Sequence, residues 1–245
     1  MKFYLAQFLR TARSGRWPLE SKTMFVGHYG ISFAAPRSGV RLPLWVWFIA
    51  VQWLDVVWSL LVLLGIEKLR ITPGFTQANA LDLYYMPFTH SLPGALVLSA
   101  IFAGGVAVFE TTARGRAFVF VAAACFSHWV LDLIVHTPDL PLYDNAAKVG
   151  LGLWRHVAIS FPLELAFLGL GTWLYARSVT FTPTGRYSLW GFFALLAALQ
   201  VYANFGPPPS SSEAMALIAL GLYALLAALA ALVERASTVP VSTAA

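Results

Sequence analysis

C-F-S-H-W-V-L-D-L-I-V-H-T-P-D, the stretch from Cys125 to Asp139, sets two imidazoles and a carboxylate inside an apolar run. His128, Asp132 and His136 recur at i, i+4 and i+8, so on a helix turning about 100° per residue they fall within about 80° of one another, with Cys125 on the same side. Extended back to Ala117, the run is long enough to cross a hydrocarbon core of roughly 30 Å. An ionisable group in such a span faces the bundle interior and has a partner, because a lipid-facing carboxylate is costly. The stretch therefore predicts helices closed around a shared polar stripe. A divalent metal is the most economical partner, since neutral imidazole nitrogen and carboxylate oxygen are ordinary zinc ligands and i, i+4 spacing lets one helix supply several. A hydrogen-bonded seam between helices and a proton or ion path are the other two readings of the same residues.

Composition extends this reading to the whole chain. Only 11% of the residues are charged and 59% are hydrophobic, with a mean hydropathy of +0.71, whereas a soluble domain carries about 25% charged residues. An all-α, polytopic transmembrane bundle is expected. The single cysteine, Cys125, excludes an internal disulfide and a cysteine-only metal cluster. The net charge of +5 is spread along the flanks of the apolar segments; it reads as topology and contact with anionic headgroups, so membrane lipids and not nucleic acid are the expected partners. The N-terminus has too short an apolar stretch, and too many basic residues, for a cleavable signal peptide. Residues 1–23 read as an interfacial amphipathic segment, with Phe3, Leu5, Phe8 and Leu9 against Lys2, Arg10, Arg13 and Arg16.

One transmembrane domain is expected over residues 24–235, followed by a disordered tail at 236–245. Met24 to Ala35 is only about 18 Å long as a helix, so it reads as a half-helix or re-entrant segment ended by Pro36, and it carries His28. About six spans follow. Pro43 to Gly65 carries Gln52, Asp55 and Ser59 on one face. Pro93 to Phe109 comes after a long connection, Ile66 to Leu92, that ends in Thr89-His90-Ser91. Ala117 to His136 is the segment quoted above, and Pro138 ends its helix so that Asp139 lies at the mouth of any site. The fourth span starts at His156 and repeats the i, i+4, i+8 pattern with Ser160 and Glu164. Ser188 to Phe205 carries Gln200 and Asn204 as an amide pair. Glu213 to Val233, without an ionisable residue in its middle, reads as a packing helix.

If the His28 segment does not cross, most basic residues fall on one side and Lys68, Arg70, Lys148 and Arg155 on the other. Both termini are then cytoplasmic, and the loops bearing His90 and Asp139 face outward.

In order, His28, Asp55, Thr89-His90-Ser91 and the H-x-x-x-D of His128 to Asp132 resemble the YdjM-type family of bacterial membrane-bound metal-dependent hydrolases. That family has an N-terminal His in a short helix, an Asp in the next segment, a D-H-R-G-x-T-H-S signature and a later H-x-x-x-D helix. The resemblance covers about residues 24–140 and implies metal-site roles for His28, Asp55, His90, His128 and Asp132. Where the family has His-Arg-Gly this chain has Tyr85, Met86 and Pro87, and its nearest upstream Asp is Asp82. The missing ligand is then supplied by His136 or His156, or the branch has diverged from hydrolysis. The ligand style is also similar to that of zinc-dependent phospholipases C.

The leading expectation is a hydrolase of the bacterial inner membrane, acting on a lipid or lipid-linked ester or phosphoester through water activated by a divalent metal, zinc first. Asp55, Asp139 or Glu164 would serve as general base, and Tyr84, Tyr85 or Arg155 would hold developing charge. A proton- or cation-coupled carrier built on the same buried cluster is the alternative. A haem protein would need facing histidines from two helices, such as His28 or His156 opposite His128. A structural scaffold would use the same residues as glue.

Overall fold

The computed structural model describes residues 26–78, 80–110 and 112–237. The amphipathic segment expected at 1–23 and the tail from residue 238 onward lie outside the described residues, while Ala236 and Ser237, expected in that tail, still belong to the last helix. In chain order the helices are α1 (Gly27–Ala34), α2 (Leu44–Leu63), α3 (Leu92–Phe109), α4 (Arg114–Val135), α5 (Val157–Ala176), α6 (Pro183–Phe205) and α7 (Ser212–Ser237). All but α1 are long and apolar enough to cross a membrane, so the chain is an integral membrane protein with six candidate spans.

Burial assigns the helices their places. α2 packs on α1, α3, α4 and α7, and 56% of its apolar window is buried against 17% for α3. α2 is the central helix, and α3 turns Leu96, Val97, Ile101, Val108 and Phe109 outward, where hydrocarbon is their natural neighbour. α5 runs unbroken through Pro162.

α1 is the half-helix its length requires. Its first turn is held inside the bundle by the Val26 N–H, which donates to Gln200 Oε1 at 3.2 Å, and Gln200 in turn donates to Asn204 Oδ1 at 2.5 Å. The amide pair of the fifth span thus anchors the helix that carries His28. At the other end Pro36 enters a 3-10 turn, Ala35–Ser38, and Arg37 donates to Ser178 Oγ at 3.3 Å. Between these anchors α1 crosses α5 backbone against backbone. A Cβ on Gly171 would overlap the Gly30 carbonyl, and one on Gly30 would overlap the Phe167 carbonyl. Small residues at a helix crossing permit this approach.

The connections hold structure that periodicity did not reveal. β1 (Lys68–Ile71) pairs antiparallel with β2 (Leu81–Tyr85), and β3 (Leu140–Tyr143) with β4 (Ala146–Val149). Pairing of Tyr143 with Ala146 leaves a two-residue turn, with Asp144 at φ 49°, a conformation that Asp and Asn tolerate. Asn145 Nδ2 and Lys148 Nζ both donate to the Tyr84 carbonyl, at 3.2 and 2.7 Å, and so tie the two hairpins into one cap. The cap covers the end of the bundle where α2 and α4 finish and α3 begins. Toward the opposite end the core is aromatic, with Phe48 against Tyr29, Phe33 and Phe192.

Candidate metal centre

Three helices, the residue just past one of them and the loop before a fourth bring six side chains to one point beneath the cap. α1 supplies His28 from its first turn and α2 supplies Asp55. α4 supplies His128 and Asp132 one turn apart, and His136 directly follows its last residue. His90 precedes α3, where Ser91 is the N-cap and its Oγ accepts from Gly94 N at 3.2 Å.

Asp132 is the hub. Its Oδ1 lies 3.4 Å from His28 Nε2 and 3.7 Å from His136 Nε2. Its Oδ2 lies 3.0 Å from His128 Nε2 and 3.6 Å from His90 Nε2. Asp55 Oδ1 lies 3.4 Å from both His90 Nε2 and His128 Nε2. Neither His28 Nε2 nor Asp132 Oδ2 makes a hydrogen bond among the described residues. Ligands about 2.0–2.1 Å from a tetrahedral ion stand about 3.4 Å apart, which the observed separations bracket. Two triads, His28-His128-Asp132 and Asp55-His90-His128, have donor atoms within 4.8 Å of one another. The buried cluster could therefore hold a metal ion.

The far side of three of the four rings fixes the tautomer. His128 Nδ1 lies 2.7 Å from the Val51 carbonyl, and His136 Nδ1 lies 2.8 Å from Asp139 Oδ1. A carbonyl and a carboxylate only accept, so both Nδ1 atoms carry the proton and both Nε2 lone pairs face the cluster. His90 Nδ1 lies 2.8 Å from Thr89 Oγ1. That hydroxyl gives its proton to Glu67 Oε2 at 2.5 Å, while Glu67 Oε1 accepts the Phe88 and Thr89 N–H groups at 2.8 and 3.0 Å. Thr89 therefore accepts from His90, whose Nε2 lone pair also faces inward. Lone pairs facing carboxylate oxygens at these distances repel unless a cation lies between them. Protonating every ring instead would stack cations, since the His28 and His128 rings lie 4.1 Å apart.

Several expected site residues lie elsewhere. Trp154 turns inward against His136, with ring centroids 4.0 Å apart, and this leaves Arg155 and His156 exposed, so His156 lies outside the cluster. Along β2, Leu81 and Leu83 line the cavity. Tyr84 alternates away beneath Arg70, 4.2 Å from its ring, and Tyr85 lies beside Lys68, so neither tyrosine lines the cavity. Glu164 is buried on α5 but outside the cavity lining. Asp139 is buried, and both its oxygens are taken, Oδ1 by His136 and Oδ2 by Thr137 Oγ1 at 2.8 Å; it orients His136.

Other contributors were not legible. Glu67, Thr89 and the Val51 carbonyl orient ligands from behind. Tyr223 on α7 donates to Asp55 Oδ2 at 2.7 Å, so the last span is more than the packing helix expected of it. The cavity, about 60 Å³, has room for a few waters. Trp58, Met86 and Met215 complete its apolar wall around the donors. Tyr223→Phe should leave the fold intact and weaken metal binding about tenfold, measured by competition with a chromogenic chelator. An unchanged affinity would show that Asp55 needs no support from α7. No protein-family model, curated protein or solved structure matches this chain.

Proposed function

We propose that the protein is a metal-dependent hydrolase of the bacterial inner membrane that cleaves a lipid or lipid-linked phosphoester or ester. The observation that carries this reading is the convergence of histidine Nε2 atoms and two aspartates, with acceptors behind three of the rings holding the lone pairs inward. The resemblance to YdjM-type hydrolases supports it, since His28, Asp55, His90, His128 and Asp132 all lie in the cluster. A bound divalent ion, zinc first by donor chemistry, supplies an acidified water and polarises the oxygen of the bond under attack.

The chain's own residues supply the rest. Asp55 is the carboxylate that reaches the cavity, with its side chain 25% exposed against 4% for Asp132. Its Oδ1 faces His90 and His128 as a ligand, while its Oδ2, which accepts from Tyr223 and keeps a second lone pair, takes the proton from the attacking water. The new bond forms from that water oxygen to phosphorus or carbon, and the alcohol departs with the proton. Leu81, Leu83, Met86 and Met215 offer apolar surface to the substrate's hydrocarbon part. The aromatic core on the other side of the cluster disfavours a path through the bundle, which weighs against a carrier. The basic residues Arg37, Arg116 and Arg177 lie at the end away from the cap, so the positive-inside rule turns the centre away from the cytoplasm.

The test is elemental analysis of detergent-purified protein beside the His128→Ala, Asp132→Ala double variant. Near-stoichiometric zinc or manganese in the wild type, lost in the variant, is expected, together with turnover of a lipid phosphoester or ester by the wild type alone. Folded wild-type protein, never exposed to chelator, that carries no metal would sink the proposal.

A further inference from the structure

The number of donors exceeds what one ion can use. A tetrahedral ion takes four ligands, yet His28, His90, His128 and His136 Nε2, Asp55 Oδ1 and both Asp132 oxygens all meet here. One ion would leave some of these buried imidazoles facing carboxylate oxygens with nothing between them.

Asp132 divides the donors into two sets. Its Oδ1 faces His28 and His136, while its Oδ2 faces His90 and His128, the pair that Asp55 Oδ1 also faces. The two compact triads overlap only at His128, and one Nε2 lone pair serves one ion. When His128 goes with Asp55 and His90, the other set keeps His28 and Asp132 Oδ1, with His136 3.7 Å from the same oxygen. A carboxylate whose two oxygens bind different ions holds them at the roughly 3.5–4 Å spacing of two-metal hydrolytic sites. The supports behind the ligands divide the same way. Asp139 stands behind His136, whereas Val51, the Thr89-Glu67 pair and Tyr223 stand behind His128, His90 and Asp55.

We propose that the centre binds two divalent cations, one held by His28, His136 and Asp132 Oδ1 and the other by Asp55, His90, His128 and Asp132 Oδ2, with Asp132 as the bridge. This rests on the metal-centre reading above and goes beyond it in the number of ions and in giving His28 and His136 an ion of their own.

Manganese is the probe. Full-length protein saturated with Mn²⁺ and desalted is expected to retain two ions per chain, and its electron paramagnetic resonance spectrum should show a coupled pair, with hyperfine spacing about half that of an isolated ion. His28→Ala is expected to retain one ion with the ordinary six-line spectrum, because the Asp55 set is intact. One ion per wild-type chain with an isolated-ion spectrum overturns the two-ion centre and leaves the hydrolase reading standing. No retained ion overturns both. The wild-type measurement decides the matter even if His28→Ala fails to fold.

Discussion

Gly171→Ala is expected to cost the protein its folded state or several kcal/mol of it, although the side chain gained is a single methyl group. The methyl would overlap the Gly30 carbonyl, which is backbone of another helix and has no rotamer to move to. Overpacking a flexible core typically costs about 1–3 kcal/mol, and a crossing with no side chain to yield belongs at or above the top of that range. Gly169→Ala on the same helix is the control, because its methyl would meet only the Phe193 ring at 3.9 Å, an ordinary contact. Alanine is favoured over glycine in a helix by about 1 kcal/mol, so the control should be neutral or slightly stabilising. Thermal unfolding in detergent and bound metal, measured on both variants, separate the outcomes. The Gly171 variant should lose metal along with stability, since the crossing places α1 and with it His28. Equal midpoints for the two variants would mean that the helices can part at little cost.

Glu67→Gln is expected to lower metal affinity by one to two orders of magnitude, the usual range for losing a partner behind a ligand. Glutamine has nearly the same shape, and its carbonyl can still accept the Phe88 and Thr89 N–H groups. Its amide then donates to Thr89 Oγ1, so the threonine hydroxyl turns its own hydrogen toward His90 Nδ1. His90 is driven to the other tautomer, with the proton on Nε2, where the ion should be. Nitrogen-detected NMR of labelled histidine in the metal-free protein reports that shift directly, and a merely structural role for Glu67 would leave it unmoved. Thr89→Val should weaken binding similarly, and Thr89→Ser should restore it. Unchanged affinity in Glu67→Gln, with His90 still protonated on Nδ1, would remove Glu67 from the account of the centre.

Both results turn on residues that periodicity passes over, and this marks the limit of what was legible. His128, Asp132 and His136 were readable as one stripe because helical spacing alone brings them together, although α4 carries only the first two and ends one residue before His136, which follows in an extended conformation. Asp55 was readable as an inward-facing residue because a carboxylate at mid-span needs a partner, whereas His90, in a loop, was tied to the site through the resemblance. His156 was misplaced because spacing does not reveal that Trp154 takes the inward position beside it. Tyr84 and Tyr85 were misplaced because a short hairpin inside a membrane protein's loop carries little periodic signal; strand alternation turns Tyr84 away from the face of Leu81 and Leu83, and Tyr85, at the strand's end, lies beside Lys68. Glu67 gave no signal at all, since its role depends on a contact with the end of a loop far along the chain.

The sequence by itself determined the six spans, the half-helix and the buried polar stripe, because hydrocarbon solvation penalises charge at membrane depth and hydrogen-bonds no exposed backbone, whatever the tertiary arrangement. Only the tertiary structure decided which carboxylate is the hub, which nitrogen of each ring faces it and which tyrosine reaches Asp55. Those depend on how close two helices come and which way a loop turns, and the Gly30-Gly171 crossing and the Glu67-Thr89 contact set both through residues distant in sequence.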